Sequence, residues 1–402
     1  MTYQTINGFG VAMTDSAAMN IHWLGLNSSA PVCRAFFGDE GNRYKVVRVP
    51  LAGTDDSLRK YTYDDVPDDM QLQNFSLASE DHEYKIPVLH EANALAGGDI
   101  KFVATAWTAP PWMKANNDLV NGVLRQTPEI YQLWADYLVR CLGAFAEEGI
   151  HFWAMTTGNE PLNGYLPFLI TFNSMGWMAW DQGKWIAENL GPTLQNSSFN
   201  STLLIAHDDQ RILLPWTANV LFDTHPEADK YISGIAFHWY WTFFDPTWIM
   251  ESTHERFPDK FLLGSEACSG WAPWDFQKVK LGSWSRAEDY MDDILWDLNA
   301  WTTGWVEWSS PLNMEGGPTW AHILVDSSAI VNLDDAEFLL QPTYFAIAHA
   351  SRFLPPGSQR VSHRVCAQCS ESVLGLLGRS TTVHTTAFVT PDDKMVLVMH
   401  NA

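Results

Sequence analysis

The stretch "FWAMTTGNEP", residues 152–161, opens as a short apolar run and closes on polar residues, with Glu160 between an asparagine and a proline. A strand buried on both faces reads as a continuous apolar run, as in a parallel sheet covered by helices. Pro161 has no N–H to give to a ladder, so the strand must stop before it. A carboxylate at the end of such a buried strand is costly unless something there uses it.

Seven further runs share this form: "NGFGVAMTD" (7–15), "YKVVRVPLAG" (44–53), "IKFVATAWT" (100–108), "TLLIAHDD" (202–209), "SGIAFHWYW" (233–241), "KFLLGSEA" (260–267) and "TGWVEWSS" (303–310). Helical stretches separate several of them. The segment "EIYQLWADYLVRCLGAFAEEG" (129–149) has apolar residues three and four apart, and Gly149 stands where a helix would stop. Strands alternating with helices in this way predict an α/β fold, a (β/α)8 TIM barrel. Each run is apolar first and polar or aromatic last, as barrel strands are when they end at an open rim.

The barrel is expected to occupy residues 1–357, including a closing helix in "QPTYFAIAHASRFL" (341–354). After Pro355 and Pro356 the composition changes, and residues 358–402 predict a partial accessory β-domain with strands joined by "TPDD" (390–393). Two or three strands do not hold a fold by themselves, so this unit should pack on the barrel or be completed by further chain. "TYQTINGFG" follows Met1 directly and reads as a strand, so the natural N-terminus is expected upstream.

The chain has 402 residues, with 47 acidic and 24 basic ones and a formal net charge of −23. That balance excludes nucleic acid as a partner and argues against electrostatic docking to anionic membranes at neutral pH. Near pH 5 the 13 His would mostly charge, which would relieve the self-repulsion in an acidic compartment. The 20 Trp often end apolar runs, where a flat ring could stack on a sugar or a lipid. No run is long and apolar enough to predict a transmembrane segment. Cys366 and Cys369 form a CxxC without a second pair or a His at zinc spacing, so no metal site is expected. Sequons at Asn27, Asn74, Asn196 and Asn200 are glycosylation candidates and point to a secretory route.

Glu160 closes the fourth run and Glu266, in "LLGSEAC" (262–268), closes the seventh. In an eight-stranded barrel these ends face each other across the mouth. Two carboxylates so placed suit glycoside hydrolysis, one as acid and then base, the other attacking the anomeric carbon. Retention needs them roughly 5 Å apart, inversion about 6.5–9.5 Å. Glu160 is then the group that protonates the leaving oxygen, and Asn159 can bond a hydroxyl beside the reacting carbon. Arg48 could pair with Glu266, and Asp55 could grip sugar hydroxyls. Trp107 could line the sugar pocket and Trp308 could form its floor. His238 and Tyr240 alternate onto one face, with Tyr240 within reach of a carboxylate. No metal or organic cofactor is expected, because two carboxylates suffice.

The motifs "GFGVAMTDSAAMNI", "VVRVPLAGTD", "YTYDDVPDDMQLQNFSL", "NEP", "DDQRILLPWTANV", "FHWY", "SEAC" and "LNMEGGPTW" resemble the glucosylceramidase (acid β-glucosidase) family, glycoside hydrolase family 30. The similarity runs from about Ile6 to about His400. It implies a retaining mechanism with Glu160 as acid/base and Glu266 as nucleophile. It implies that Asp55, Trp107, Asn159 and Trp308 contact the glucose, with Arg48, His238 and Tyr240 in support. It further implies glucosylceramide as substrate, a lysosomal setting and a saposin-type activator. Ile323 stands where the family is expected to carry an asparagine near the sugar, and Asp56 where an aromatic residue is expected. Two other readings stay open. One is a related glycosidase acting on another β-linked glycan, such as a β-1,6-glucan or xylan. The other is a non-catalytic carbohydrate- or lipid-binding barrel.

Overall fold

A closed ring of eight parallel strands forms the centre of the computed structural model, which describes residues 2–242, 244–363 and 383–401, without the side chains of residues 26–29. The strands are β1 (Gly8–Ala12), β2 (Val46–Leu51), β3 (Lys101–Ala106) and β4 (Phe152–Thr156). They continue as β5 (Leu203–Gln210), β6 (Ile232–His238), β7 (Phe261–Glu266) and β8 (Thr302–Glu307). Each pairs in parallel with the next, and β1 meets β8, with Gly8 opposite Gly304. Every one of the eight runs supplies one barrel strand, and the chain is a TIM barrel.

Two-residue periodicity sorts the strand side chains. Val46, Val103, Ala154, Ile205, Ala236, Leu263 and Val306, one from each of β2 to β8, form a separate buried cluster. Their neighbours Val47, Val49, Phe102 and Ala104 belong to the main hydrophobic core with the helices. At Gly10 of β1 a Cβ would stand 1.6 Å from the Val46 carbonyl oxygen, so no side chain fits there.

The helix Pro128–Glu147 starts on Thr127, whose side chain accepts from the Ile130 N–H. It ends at Gly149 with φ +80°, where Gly149 N–H meets Ala146 O and Ile150 N–H meets Phe145 O. That is the paired bonding a left-handed residue after a helix allows. The closing helix spans Pro342–Ser351 and packs on the helix Trp284–Asn299.

A four-stranded sheet orders Thr2–Thr5, Gln359–Val361, Val383–Val389 and Met395–Asn401. Thr2–Thr5 therefore lies in this sheet and not in the barrel unit where the sequence places it. The ring of β1 to β8 is closed and has no free edge, so the segment pairs antiparallel with Gln359–Val361 instead. Gln4 ties it to the barrel by donating to Leu298 O at 2.6 Å. The last two strands form a hairpin across "TPDD". They dock on the barrel through Asn299 to Thr385 O at 2.9 Å and His400 to Asp292 at 2.8 Å.

Cys33, Cys141 and Cys268 are buried free thiols. Cys366 and Cys369 lie outside the described residues, as does the Asn27 side chain. Asn74, Asn196 and Asn200 are exposed. Among the described residues no helix is long and apolar enough to cross a membrane.

Candidate active site

Beyond Thr156 the chain leaves β4 through Gly158, at φ +129°, and reaches Glu160 at φ 43°, ψ 65°. A left-handed non-glycine residue costs on the order of 1–3 kcal/mol and persists only where its surroundings hold it. Neighbouring strands do so here. Asn159 N–H bonds Ala106 O and Glu160 N–H bonds Asp208 O, both at 2.9 Å. The short 3-10 turn Pro161–Tyr165 follows at once. Glu266 needs no such device, being the last residue of β7.

The two carboxylates converge. One oxygen of each, with a ring nitrogen of His238, lie within 4.8 Å of one another. Glu266 Oε2 accepts from Arg48 Nη1, and Oε1 accepts from the Tyr240 hydroxyl at 3.1 Å. Glu160 Oε1 accepts from Gln210 Nε2 at 2.7 Å and faces His238 Nδ1 at 2.9 Å, while Oε2 accepts from Asn163 Nδ2. Beneath the pair, Asp208 meets Arg48 Nη2 at 3.0 Å, His238 Nε2 at 3.2 Å and the Ser265 hydroxyl at 2.6 Å. Arg48 Nη2 also donates to Asn159 Oδ1 at 2.7 Å.

Three carboxylates thus surround two cations, all of them buried. Burial alone would depress His238. The charge of Glu266 and the hydrogen bonds to Asp208 and Glu160 overcome it and lift the imidazole to about 10. For Asp208 burial acts upward, but Arg48 and His238 hold the carboxyl well below its ordinary range. Burial raises Glu266, and the charges of His238 and Arg48 act against that rise. By residue type Glu160, His238 and Glu266 would make a metal-ligand set. Both ring nitrogens of His238 face carboxylates and carry protons, so the ring has no lone pair to offer.

A cavity of about 660 Å³ opens over the pair. Asp55, Tyr240 and Trp308 line it with the two glutamates, and Gln210 and Asn163 stand beside them. Its outer wall is mostly apolar, with Leu169, Ile170, Phe172, Trp241, Trp271 and Ile323, and it also carries Thr171, Lys278 and His322. Trp107 and Asn159 are absent from this lining. Trp107 is 2% exposed and stacks on Trp308, ring centroids 5.1 Å apart, with the Arg48 guanidinium 4.8 Å from its ring. Its place is to support Trp308 and Arg48, where the sequence expects a pocket wall. Sequence reasoning missed Asp208, Gln210 and Asn163. The first two sit inside the quoted motif "DDQRILLPWTANV", and Asn163 follows Glu160 at the spacing of one tight helical turn.

Comparison with known proteins gives this geometry a family. Residues 6–354 match the glycosyl hydrolase family 30 TIM-barrel domain and residues 357–402 the family 30 beta sandwich domain. The chain is 41% identical to the lysosomal acid glucosylceramidase of Mus musculus, over 99% of this chain and 75% of that protein. Among solved structures, SrfJ from Salmonella typhimurium superposes with a TM-score of 0.87 at 26% identity, covering 100% of this chain and 83% of SrfJ. The endo-β1,6-glucanase BT3312 superposes at 0.86 and 26% identity, over 100% and 85%. With both domain models matched over nearly its whole length, this chain is a member of glycoside hydrolase family 30.

Proposed function

We propose that this glycosidase is a retaining β-glucosidase that hydrolyses glucosylceramide to glucose and ceramide. The observation that carries the substrate is the cavity itself, where a polar floor with two carboxylates opens onto a wall of leucine, isoleucine, phenylalanine and tryptophan. A glycan aglycone presents hydroxyls that such a wall leaves unpaired, whereas a ceramide buries its chains against it. The similarity to the mouse glucosylceramidase favours the same substrate.

In the first step Glu266 attacks the anomeric carbon. The bond to the aglycone oxygen breaks, and that oxygen takes the proton of Glu160. In the second, Glu160 takes a proton from water, whose oxygen displaces Glu266 and releases glucose. Oxygens within 4.8 Å suit direct attack and leave too little room for a water between carboxylate and sugar. Arg48 and Tyr240 aim Glu266 through the two hydrogen bonds described. Asp55 and Trp308 line the cavity, the first placed to accept sugar hydroxyls, and Arg48 fixes Asn159 behind that lining.

The setting follows from charge. At −23 the chain is not drawn to an anionic bilayer at neutral pH, which favours an acidic, lysosomal compartment and a saposin-type activator that presents the lipid. The likeness to BT3312 keeps one alternative, cleavage of a β-1,6-glucan. The test offers the enzyme short-chain glucosylceramide and β-1,6-gluco-oligosaccharides at pH 5. Release of glucose from the lipid and little from the oligosaccharides is expected. Turnover of the oligosaccharides alone would overturn the lipid assignment.

A further inference from the structure

We propose that Asn163 is a positioning residue that holds and releases the transferable proton of Glu160. This rests on the assignment of Glu160 as acid/base. The two oxygens of Glu160 are not equivalent. Oε1 is taken twice, by Gln210 Nε2 at 2.7 Å and by His238 Nδ1 at 2.9 Å. The second donor is cationic, because its other ring nitrogen also faces a carboxylate, that of Asp208. An oxygen that already accepts from two donors is the poorer seat for a proton. Among the described residues Oε2 has one partner, the side-chain amide of Asn163. The proton passed to the leaving group therefore belongs on Oε2.

An amide suits that place because it carries N–H on one arm and C=O on the other. With Nδ2 turned inward it donates to the carboxylate, the form Glu160 has when it acts as base. A half-turn presents Oδ1, which accepts the Oε2 proton while Glu160 waits as acid. Among the described residues the Asn163 side chain makes no other hydrogen bond, so the turn gives up no bond but this one.

The backbone beneath it is fixed. Asn163 N–H bonds Glu160 O at 2.9 Å, which closes the first turn after Glu160 and brings the two side chains together. At Gly164 a Cβ would stand 1.9 Å from Gly176 N, so the turn is packed directly against the next loop. Asn163 is 4% exposed and borders the cavity beside Glu160, whose proton goes to the arriving glycosidic oxygen.

The experiment compares two glucosides, a dinitrophenyl one whose leaving group needs no proton and an alkyl one whose leaving group does. Asn163→Leu should lower kcat/KM for the alkyl glucoside about tenfold, the upper end for one neutral hydrogen bond, and leave the dinitrophenyl glucoside nearly unchanged. Glu160→Gln should show the same split, larger. Asn163→Ala serves if the leucine variant melts early. Equal losses on both substrates, or none, with the split intact in Glu160→Gln, would overturn the role of Asn163. No split in Glu160→Gln would overturn the assignment of Glu160 itself.

Discussion

His238 has a carboxylate at each ring nitrogen and a third, Glu266, at 3.7 Å. Its folded value, about 10, lies above the 6.5 of an unfolded histidine, so the folded state holds the proton more tightly. By linkage this stabilisation is complete below about pH 6.5 and is lost as pH rises towards 10. The melting temperature of the wild type should therefore exceed that of His238→Gln most at pH 5–6, and the gap should close on the alkaline side. A gap that widens with pH would mean the ring is neutral in the fold. At this scale the sequence was informative about chemistry and less so about direction. A glutamate at the end of a buried run stands out because burial there is expensive. Trp107 and Trp308 look alike, each an aromatic ending a run, and only packing decides that one lines the cavity and the other lies against it.

Loops after the strands carry the site, and their order depends on a few buried polar pins. Lys114 is 2% exposed and donates to Thr108 Oγ1 at 2.8 Å, Leu119 O at 3.1 Å and Ser174 O at 2.8 Å. Thr108 follows Trp107, and Ser174 closes the loop whose Leu169, Ile170 and Phe172 form the cavity's apolar wall. Asn173 in turn donates to Gly53 O at 2.9 Å, two residues before Asp55. Removing the ammonium takes one donor from each of three buried oxygens, at about 0.5–1.5 kcal/mol per bond, while Leu119 O keeps the Ser174 N–H and Ser174 O keeps the Thr108 hydroxyl. Lys114→Met should unfold at clearly lower urea concentration and lose activity on lipid more than on a small aryl glucoside; an unchanged urea midpoint would contradict the pin. Regular elements were legible because their signals are local, as with Thr127 and Gly149 bounding the helix Pro128–Glu147. The pin was not, because two of its partners are backbone carbonyls, which any residue supplies.

On the scale of the molecule, the ring brings together residues 106 positions apart in the chain, Glu160 after β4 and Glu266 at the end of β7. Parallel closure does this without any backbone pairing between the two strands themselves. Burial on both faces wrote the eight runs into the sequence, so the barrel could be read there. The pairing of Thr2–Thr5 with Gln359–Val361 could not, since its partner lies most of a chain length away and the segment carries only one buried side chain. The account depends on Glu266 as the attacking group at the centre of this ring. Incubation with a 2-deoxy-2-fluoro-β-glucoside bearing a good leaving group, followed by peptide mass mapping, tests it directly. One fluoroglucosyl unit on the peptide containing Glu266 is predicted; a folded, active enzyme that gains no label, or gains it on another carboxylate, would contradict it.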